Sequence, residues 1–318
     1  MRVLVTGATG FVGHYLLELL SQRQHKVFAV GLEASQNANS RAHWMRCDLR
    51  DAERTADVLR ESRPEHIYHL AAFSSPAKSF GQSRLVYETN FWGTFNLFHA
   101  ARQLCPAARI LSVGSGQSYG NGNASSVRLK EHCLLRPASP YAGSKAAAEM
   151  LGIEFFNSFA LPVIRVRPFN QTGPGQPPSF VCSDFARQVA AIDLGLAQPV
   201  LQVGNLSVRR DFLDVRDAVG AYELLLCKGR PGDVYNVASG IAVPLRRVVD
   251  QLVSYTTTKV RICVDRQRLR KHDPKILSVN IVRLKRATGW TPKYNLESTV
   301  RDLFLYWKRE LELNPKQL

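Results

Sequence analysis

The sequence predicts an α/β fold, a doubly wound parallel sheet joined to a smaller, mixed α/β substrate-binding unit. Three observations lead there. Short β-branched and apolar runs alternate with longer helical stretches through the first half of the chain, the pattern of a parallel sheet covered by helices on both faces. A glycine-rich turn follows the first apolar run and opens the first helix. Beyond Pro168 the alternation loosens, and Pro and Gly gather at 173–178.

The elements follow in order. Residues 2–6 are β-branched and apolar and read as the first strand. After the glycine turn a helix is expected at about 11–23, a second strand at 26–30 and a weaker third at 42–47. The polar, periodic segment 51–62 reads as a helix, 66–70 as a fourth strand and about 82–104 as one long helix. Residues 109–113 form a fifth strand. Ser139-Pro140 is a helix start, the serine as cap and the proline in the first turn, and that helix runs to about 159. A sixth strand is expected at 163–166 and a helix at about 179–195, followed by short mixed elements. Val300, Leu303, Phe304, Trp307 and Leu311 share one helical face, so the last helix should pack back on the body. Residues 1–169 are expected to form the nucleotide-binding unit and 170–318 mainly the second, with parts of about 212–237 returning to the first.

At 318 residues, 45% hydrophobic and 21% charged, the composition is that of an ordinary globular protein with a sizeable core. No apolar run has the length of a membrane span. The chain enters a strand at once, so no signal or transit peptide is expected. Cysteines 47, 105, 133, 182, 227 and 263 are scattered without a CxxC pair, which suggests reduced thiols in the cytoplasm and no zinc site or other metal. The net charge is +16, of which residues 246–318 carry +10 without a solid basic run. It reads as a solvated basic surface or as attraction for anionic small molecules. No nucleic-acid-binding signature accompanies it.

"VTGATGFVG" puts glycines at 7, 10 and 13, between a strand and a helix. Gly7 permits the tight turn, Gly10 lets the backbone approach a pyrophosphate, and Gly13 allows close helix–strand packing. The helix N-terminus receives the anion. Strand before and helix after make this a dinucleotide-binding turn of the Rossmann type. Glu33 lies late for the acidic residue that binds a ribose 2′-hydroxyl. Gly31 leaves space for a 2′-phosphate, with no arginine beside it, so NADPH is favoured slightly over NADH. Asp48-Leu49, after the third strand, is placed either to contact adenine or, through Asp48, to cap the next helix.

Tyr141 and Lys145 stand four apart near the start of one helix and project to one side. A nearby ammonium lowers a tyrosine pKa, which suits Tyr141 to give a proton to a carbonyl oxygen or take one from an alcohol. Ser115, at the end of the fifth strand, is placed to hydrogen-bond the same oxygen. A nicotinamide would supply or accept hydride. A lone YxxxK pair often arises by chance; with the glycine turn and the strand-end serine, chance becomes the minor explanation.

"TGATGFVG", "LAA" at 70–72, Ser115 and "YAGSK" at 141–145 resemble the extended short-chain dehydrogenase/reductase family of nucleotide-sugar enzymes, over nearly the whole chain. "VRPFNQTGPGQPPSFVCSDFARQ" (166–188), "VGNLSVRRDFLDVRDAV" (203–219), "GDVYNVASG" (232–240) and "GWTPKYNLESTVRDLFLYW" (289–307) are similar to its GDP-mannose 4,6-dehydratase branch, and most closely to the reductases of GDP-linked keto sugars within it. One departure is Gln171, where many relatives have His. The resemblance implies a Ser115–Tyr141–Lys145 catalytic set. It extends the coenzyme-binding residues to Thr9, Phe11, Val12, Leu49, Leu70, Ala71, Ala72 and Pro168, with Tyr141 and Lys145 also touching the coenzyme. It implies a homodimer formed through the helices at about 82–104 and 140–159, whose apolar residues are otherwise explained by burial against the sheet.

A dehydratase of this family needs an acidic residue two places after the catalytic Ser or Thr. Here that place holds Gln117, whose amide carries no usable titrating proton. A reductase is therefore expected, acting on the 4-keto group of GDP-4-keto-6-deoxy-D-mannose. An NAD-dependent epimerase needs the same three residues and stays open, as do a 4,6-dehydratase of the same family and a dinucleotide-binding sensor without catalysis. For an anionic sugar nucleotide, arginines are the natural clamps: Arg187, Arg209 and Arg270, with Arg209 placed at the diphosphate by the resemblance. Asn170 is placed to donate to a phosphate or to cap its loop, and Gln117, Lys78 and Ser79 to line the sugar pocket.

Overall fold

The structure is a computed structural model that describes residues 1–33, 41–120, 128–269 and 278–315. Strand β1 (Arg2–Thr6) leads through the glycine turn into α1 (Phe11–Ser21), followed by β2 (Lys26–Gly31) and β3 (His43–Arg46). Helix α2 (Ala52–Ser62) is capped by Asp51, which accepts from the Arg54 N–H, and β4 (His66–His69) follows. Next come a short α3 (Pro76–Ser79), α4 (Ser83–Tyr87), a π-helical turn (Glu88–Trp92) and α5 (Gly93–Leu104). The single helix expected at 82–104 is thus three pieces. The reason is Asn90, whose side chain is buried and bonded outside the helix; the wide π turn swings it inward.

Strand β5 (Arg109–Val113) ends in a 3-10 turn (Gly116–Tyr119), and α6 (Pro140–Phe159) starts on the expected Ser139 cap, 3.1 Å from the Ala142 N–H. The chain continues as β6 (Val163–Pro168), β7 (Asn170–Thr172), α7 (Val181–Asp193), β8 (Val200–Val203), β9 (Arg209–Asp214), α8 (Val215–Lys228) and β10 (Val234–Val237). It finishes with β11 (Ala242–Pro244), α9 (Leu245–Val253), β12 (Arg261–Val264), α10 (Val282–Thr288) and α11 (Leu296–Leu313).

The main sheet has seven parallel strands in the order β10-β6-β5-β4-β1-β2-β3. Its strand order reverses between β1 and β4, so a crevice opens at the carboxyl ends there. Alternate residues of β1 serve opposite faces: Val3 and Val5 join the core under α1 and α8, and Leu4 joins that under α2, α5 and α6. A three-stranded sheet β11-β9-β7 and a parallel pair β12-β8 build the second layer with α7, α9 and α11. The last helix packs as its pattern predicts, with Val300, Leu303, Phe304, Trp307 and Leu311 buried and the Trp307 indole N–H donating to Ser183 Oγ at 2.8 Å.

Candidate active site

A cleft of about 1140 Å³ runs across the carboxyl ends of the sheet and under the second layer. Gly7, Thr9, Gly10, Phe11, Val12 and Gly13 line one end, with Asp48, Leu49 and Leu70 to Ala72 beside them. The glycines are required here. Gly7 has φ +69°, and a Cβ on it would lie 2.6 Å from the Ala71 nitrogen; one on Gly13 would lie 2.4 Å from the Gly7 carbonyl oxygen. No side chain caps α1 and its first turn has no acidic residue, so its leading N–H groups face the cleft ready for an anion. These residues fit the pyrophosphate of a dinucleotide.

Two expectations change at this end. Gly31 gives no spare room: a Cβ there would meet Thr9 Cγ2 at 2.7 Å, so its smallness serves packing. Asp48 does not cap α2, a role Asp51 fills. It accepts from the Arg50 guanidinium Nε at 3.0 Å and from the Arg50 backbone N–H, and Arg50 holds its carboxyl below the usual range. Arg50 itself lines the cleft, directly after Asp48-Leu49 in the sequence.

Ser115, Gln117, Tyr141 and Lys145 meet at the middle of the cleft, with Pro168 and Asn170. Ser115 caps the 3-10 turn, its Oγ accepting from the Gln117 N–H at 3.1 Å, which leaves the hydroxyl proton to donate. Ser115 acts on the buried Tyr141 hydroxyl in the direction that favours its phenolate. Lys145 Nζ donates to the Val113 carbonyl at 2.7 Å, and burial pushes its pKa down to about 8. The expectation that this ammonium lowers the Tyr141 pKa is not met: burial raises Tyr141, and the influence of Ser115 only partly offsets that.

Beneath these groups lies a polar chain the sequence reading missed. Thr94 Oγ1 donates to the Asn90 carbonyl at 2.6 Å, so it must accept from His69 Nε2–H at 2.8 Å. His69 Nδ1 then accepts from Thr6 Oγ1 at 2.9 Å. Burial, helped by the Lys145 charge, pushes His69 down to about 3, which keeps this ring neutral. Asn90 grips the Phe73 N–H at 2.7 Å and donates to Ser144 Oγ at 2.9 Å, tying the loop after β4 to α6. The only signal in the sequence was a polar residue at a buried helical position.

At the far end the candidate clamps are rearranged. Arg209 is exposed and donates to the Ala242 carbonyl at 2.8 Å; Arg210 is buried and lines the cleft. Strand alternation explains it, because Arg210 shares parity with cleft-lining Phe212. Arg187 is not on the cleft wall and lies 3.8 Å from Asp184. Arg268, which bonds Asp184, is on the wall. Arg270 lies outside the described residues. Lys78 is exposed off the wall, and Ser79 is buried with its Oγ donating to the Pro76 carbonyl; Ser74 and Ser75 line the cleft instead. No helix among the described residues is long and apolar enough to cross a membrane.

Residues 4–303 match the family described as GDP-mannose 4,6 dehydratase. The chain belongs to the GDP-mannose 4,6-dehydratase family. Within the wider short-chain dehydrogenase/reductase group it is 33% identical to a GDP-6-deoxy-D-mannose reductase of Pseudomonas aeruginosa, over 96% of this chain and 97% of that one. It is 26% identical to a GDP-mannose 4,6-dehydratase of Sinorhizobium fredii, over 96% and 95%. The structure of RMD from Pseudomonas aeruginosa complexed with NADPH superposes with a TM-score of 0.86 at 30% identity, covering 98% of this chain and 100% of that one. The Thermus thermophilus UDP-glucose 4-epimerase complex with NAD gives 0.83 at 28% identity, covering 97% and 99%. This family member thus shares its fold with nucleotide-sugar enzymes of reductase, dehydratase and epimerase names, and its Rossmann-type sheet is the one they have.

Proposed function

We propose that the protein reduces the 4-keto group of GDP-4-keto-6-deoxy-D-mannose with NADPH, giving GDP-D-rhamnose. The observation that carries this reading is the make-up of the catalytic cleft. Ser115, Tyr141 and Lys145 converge there, Gln117 stands where a dehydratase needs an acid, and the only carboxylates lining the cleft among the described residues are Asp48 and Asp184. Neither is on the Ser115 turn or on α6, and each is bonded to an arginine. Elimination of water from the sugar would need a free base.

The Gly7–Gly13 turn, Asp48, Leu49, the Leu70–Ala72 segment and Pro168 would hold the coenzyme, which supplies hydride to the sugar carbon. Ser115 donates a hydrogen bond to the keto oxygen and orients it. Tyr141 gives that oxygen its proton, and Lys145 supports the phenolate left behind. Arg210 and Arg268 take the diphosphate, with Asn170 and Gln117 beside the sugar. The NADPH preference rests on the coenzyme bound by the 30%-identical neighbour. The six cysteines are free, which favours the cytoplasm.

The test is a coupled assay. The protein is incubated with GDP-mannose, a separate 4,6-dehydratase and NADPH or NADH, and the sugar is identified. Stoichiometric NADPH oxidation with GDP-D-rhamnose as product is expected. Tightly bound NAD, no consumption of added coenzyme and a C4-inverted sugar would make it an epimerase instead.

A further inference from the structure

The stripe of α6 that carries Tyr141 and Lys145 continues one turn further to Glu149, which is buried. Its carboxylate accepts from Arg167 Nε at 2.8 Å and Nη2 at 2.5 Å, and from Arg165 Nη1 at 3.4 Å. Both arginines lie on β6 and are buried. Arg167 Nη1 donates to the Tyr119 hydroxyl at 2.6 Å and to the Glu131 carbonyl at 2.9 Å, and its guanidinium lies over the Tyr119 ring. The Tyr119 hydroxyl donates to Asn236 Oδ1 at 2.8 Å. Asn236, on β10, donates through its amide to the Leu129 carbonyl at 3.1 Å and through its backbone to Glu131 Oε1 at 3.0 Å.

This chain of bonds ends on the catalytic turn. Tyr119 closes the 3-10 turn that Ser115 caps. Its ring stacks on Phe169 with centroids 6.2 Å apart, and a Cβ on Gly116 would lie 2.8 Å from the same Phe169 ring. At the other end of the turn the Gly114 N–H is held by the Val166 carbonyl at 2.8 Å. The six residues Gly114 to Tyr119 are therefore pinned at both ends. Burying ions in this way adds little net stability compared with apolar side chains of the same size. What it adds is a single geometry, because every donor and acceptor of the Tyr119 hydroxyl is committed.

We infer that Tyr119 is a positioning residue for the reduction: clamped by Arg167 and Asn236, it fixes the Ser115 turn so that the serine hydroxyl meets the keto oxygen. The inference rests on the proposed reductase activity for its kinetic part only. A misplacement of about 1 Å at a reacting group costs on the order of 100-fold in rate, so loosening one anchor of the turn should have a measurable share of that.

The experiment uses Tyr119→Phe, which keeps the ring on Phe169 and removes the hydroxyl. A fall in kcat of about 10-fold is expected, with KM for both substrates within about twofold, since the variant touches neither. Combined with Ser115→Ala, Tyr119→Phe should have no further effect, because the turn then has no hydroxyl to position. Wild-type kcat in Tyr119→Phe, or a double variant whose loss is the product of the two single losses, would overturn the inference. A separate readout needs neither turnover nor a variant. Amide hydrogen exchange in the unliganded wild-type protein should show peptide 112–120 protected like the α6 peptides. Exchange at the rate of an open loop would show that the turn is not held, and the inference would fall. Absence of turnover in the wild-type protein would sink the reductase reading, while the exchange result still decides whether the turn is clamped.

Discussion

Lys145 and His69 are both buried basic groups, and burial acts on each in the same direction with opposite consequences. Lys145, pushed to about 8, is still charged at neutral pH and loses its proton just above it. If, as proposed, Tyr141 donates the proton and Lys145 supports the phenolate left behind, kcat/KM for reduction should fall as pH rises through about 8. Lys145→Met should lose most of its activity, about 100-fold or more, and its residual rate should lack that limb. A pH profile of both proteins checks this; the same limb in the variant would assign it elsewhere. His69, pushed to about 3, stays neutral in the fold at every physiological pH. The unfolded chain binds a proton there below about 6.5, so this group's contribution to stability is complete above that pH. It is lost on acidification, at a slope approaching 1.4 kcal/mol per pH unit at about pH 5. Urea midpoints between pH 7.5 and 5 should therefore drop more steeply for the wild-type protein than for His69→Gln. Equal slopes would show that the ring does not set the acid sensitivity.

At the scale of the element, β9 shows how one register step moves a charge from solvent to the cleft. Arg209 and Arg210 are adjacent, yet one is exposed and the other buried against the cleft. A charge-assisted bond to a diphosphate contributes about 1.5–3 kcal/mol. Arg210→Met should therefore raise KM for the sugar nucleotide by roughly 10- to 100-fold, while Arg209→Met leaves it within about twofold. Steady-state kinetics of the pair separates the two positions, and an equal effect from both would contradict the alternation. The sequence does not fix which parity faces the cleft, because β9 is buried on both faces from Arg210 to Asp214; the packing puts Val208, Arg210 and Phe212 on the cleft side. The π turn at Glu88–Trp92 was not readable. Helical spacing runs through it unbroken, and only the bonds from Asn90 to Phe73 and Ser144, 17 and 54 residues away, give it a cause.

Across the whole molecule, α6 and the π turn that leads into α5 present large apolar side chains that the sheet does not cover: Trp92 is 53% exposed, Met150 46% and Phe159 42%. Phe98, Leu97, Leu151 and Phe155 of the same helices are buried, so burial explains one face and not the other. We propose that a second copy of the chain covers it. Light scattering should give twice the 35.6 kDa chain mass, and Trp92→Glu with Met150→Glu should give the single mass. A monomeric wild-type protein would remove the proposal.

Local patterns alone determined the strand–helix alternation, the glycine turn, the Ser139 cap and the pairing of Tyr141 with Lys145. Each depends on neighbours within a few positions, where backbone geometry sets which side chains share a face. Gln117 was legible for the same reason, by its distance of two residues from Ser115. Only the tertiary structure decided which arginines enter the cleft, that Gly31 is filled by Thr9, and that burial raises the Tyr141 pKa although a lysine stands four residues away. Those outcomes depend on desolvation and on contacts between residues up to 100 or more apart, such as Tyr119 with Asn236, and such contacts leave no periodic trace in a single chain of letters.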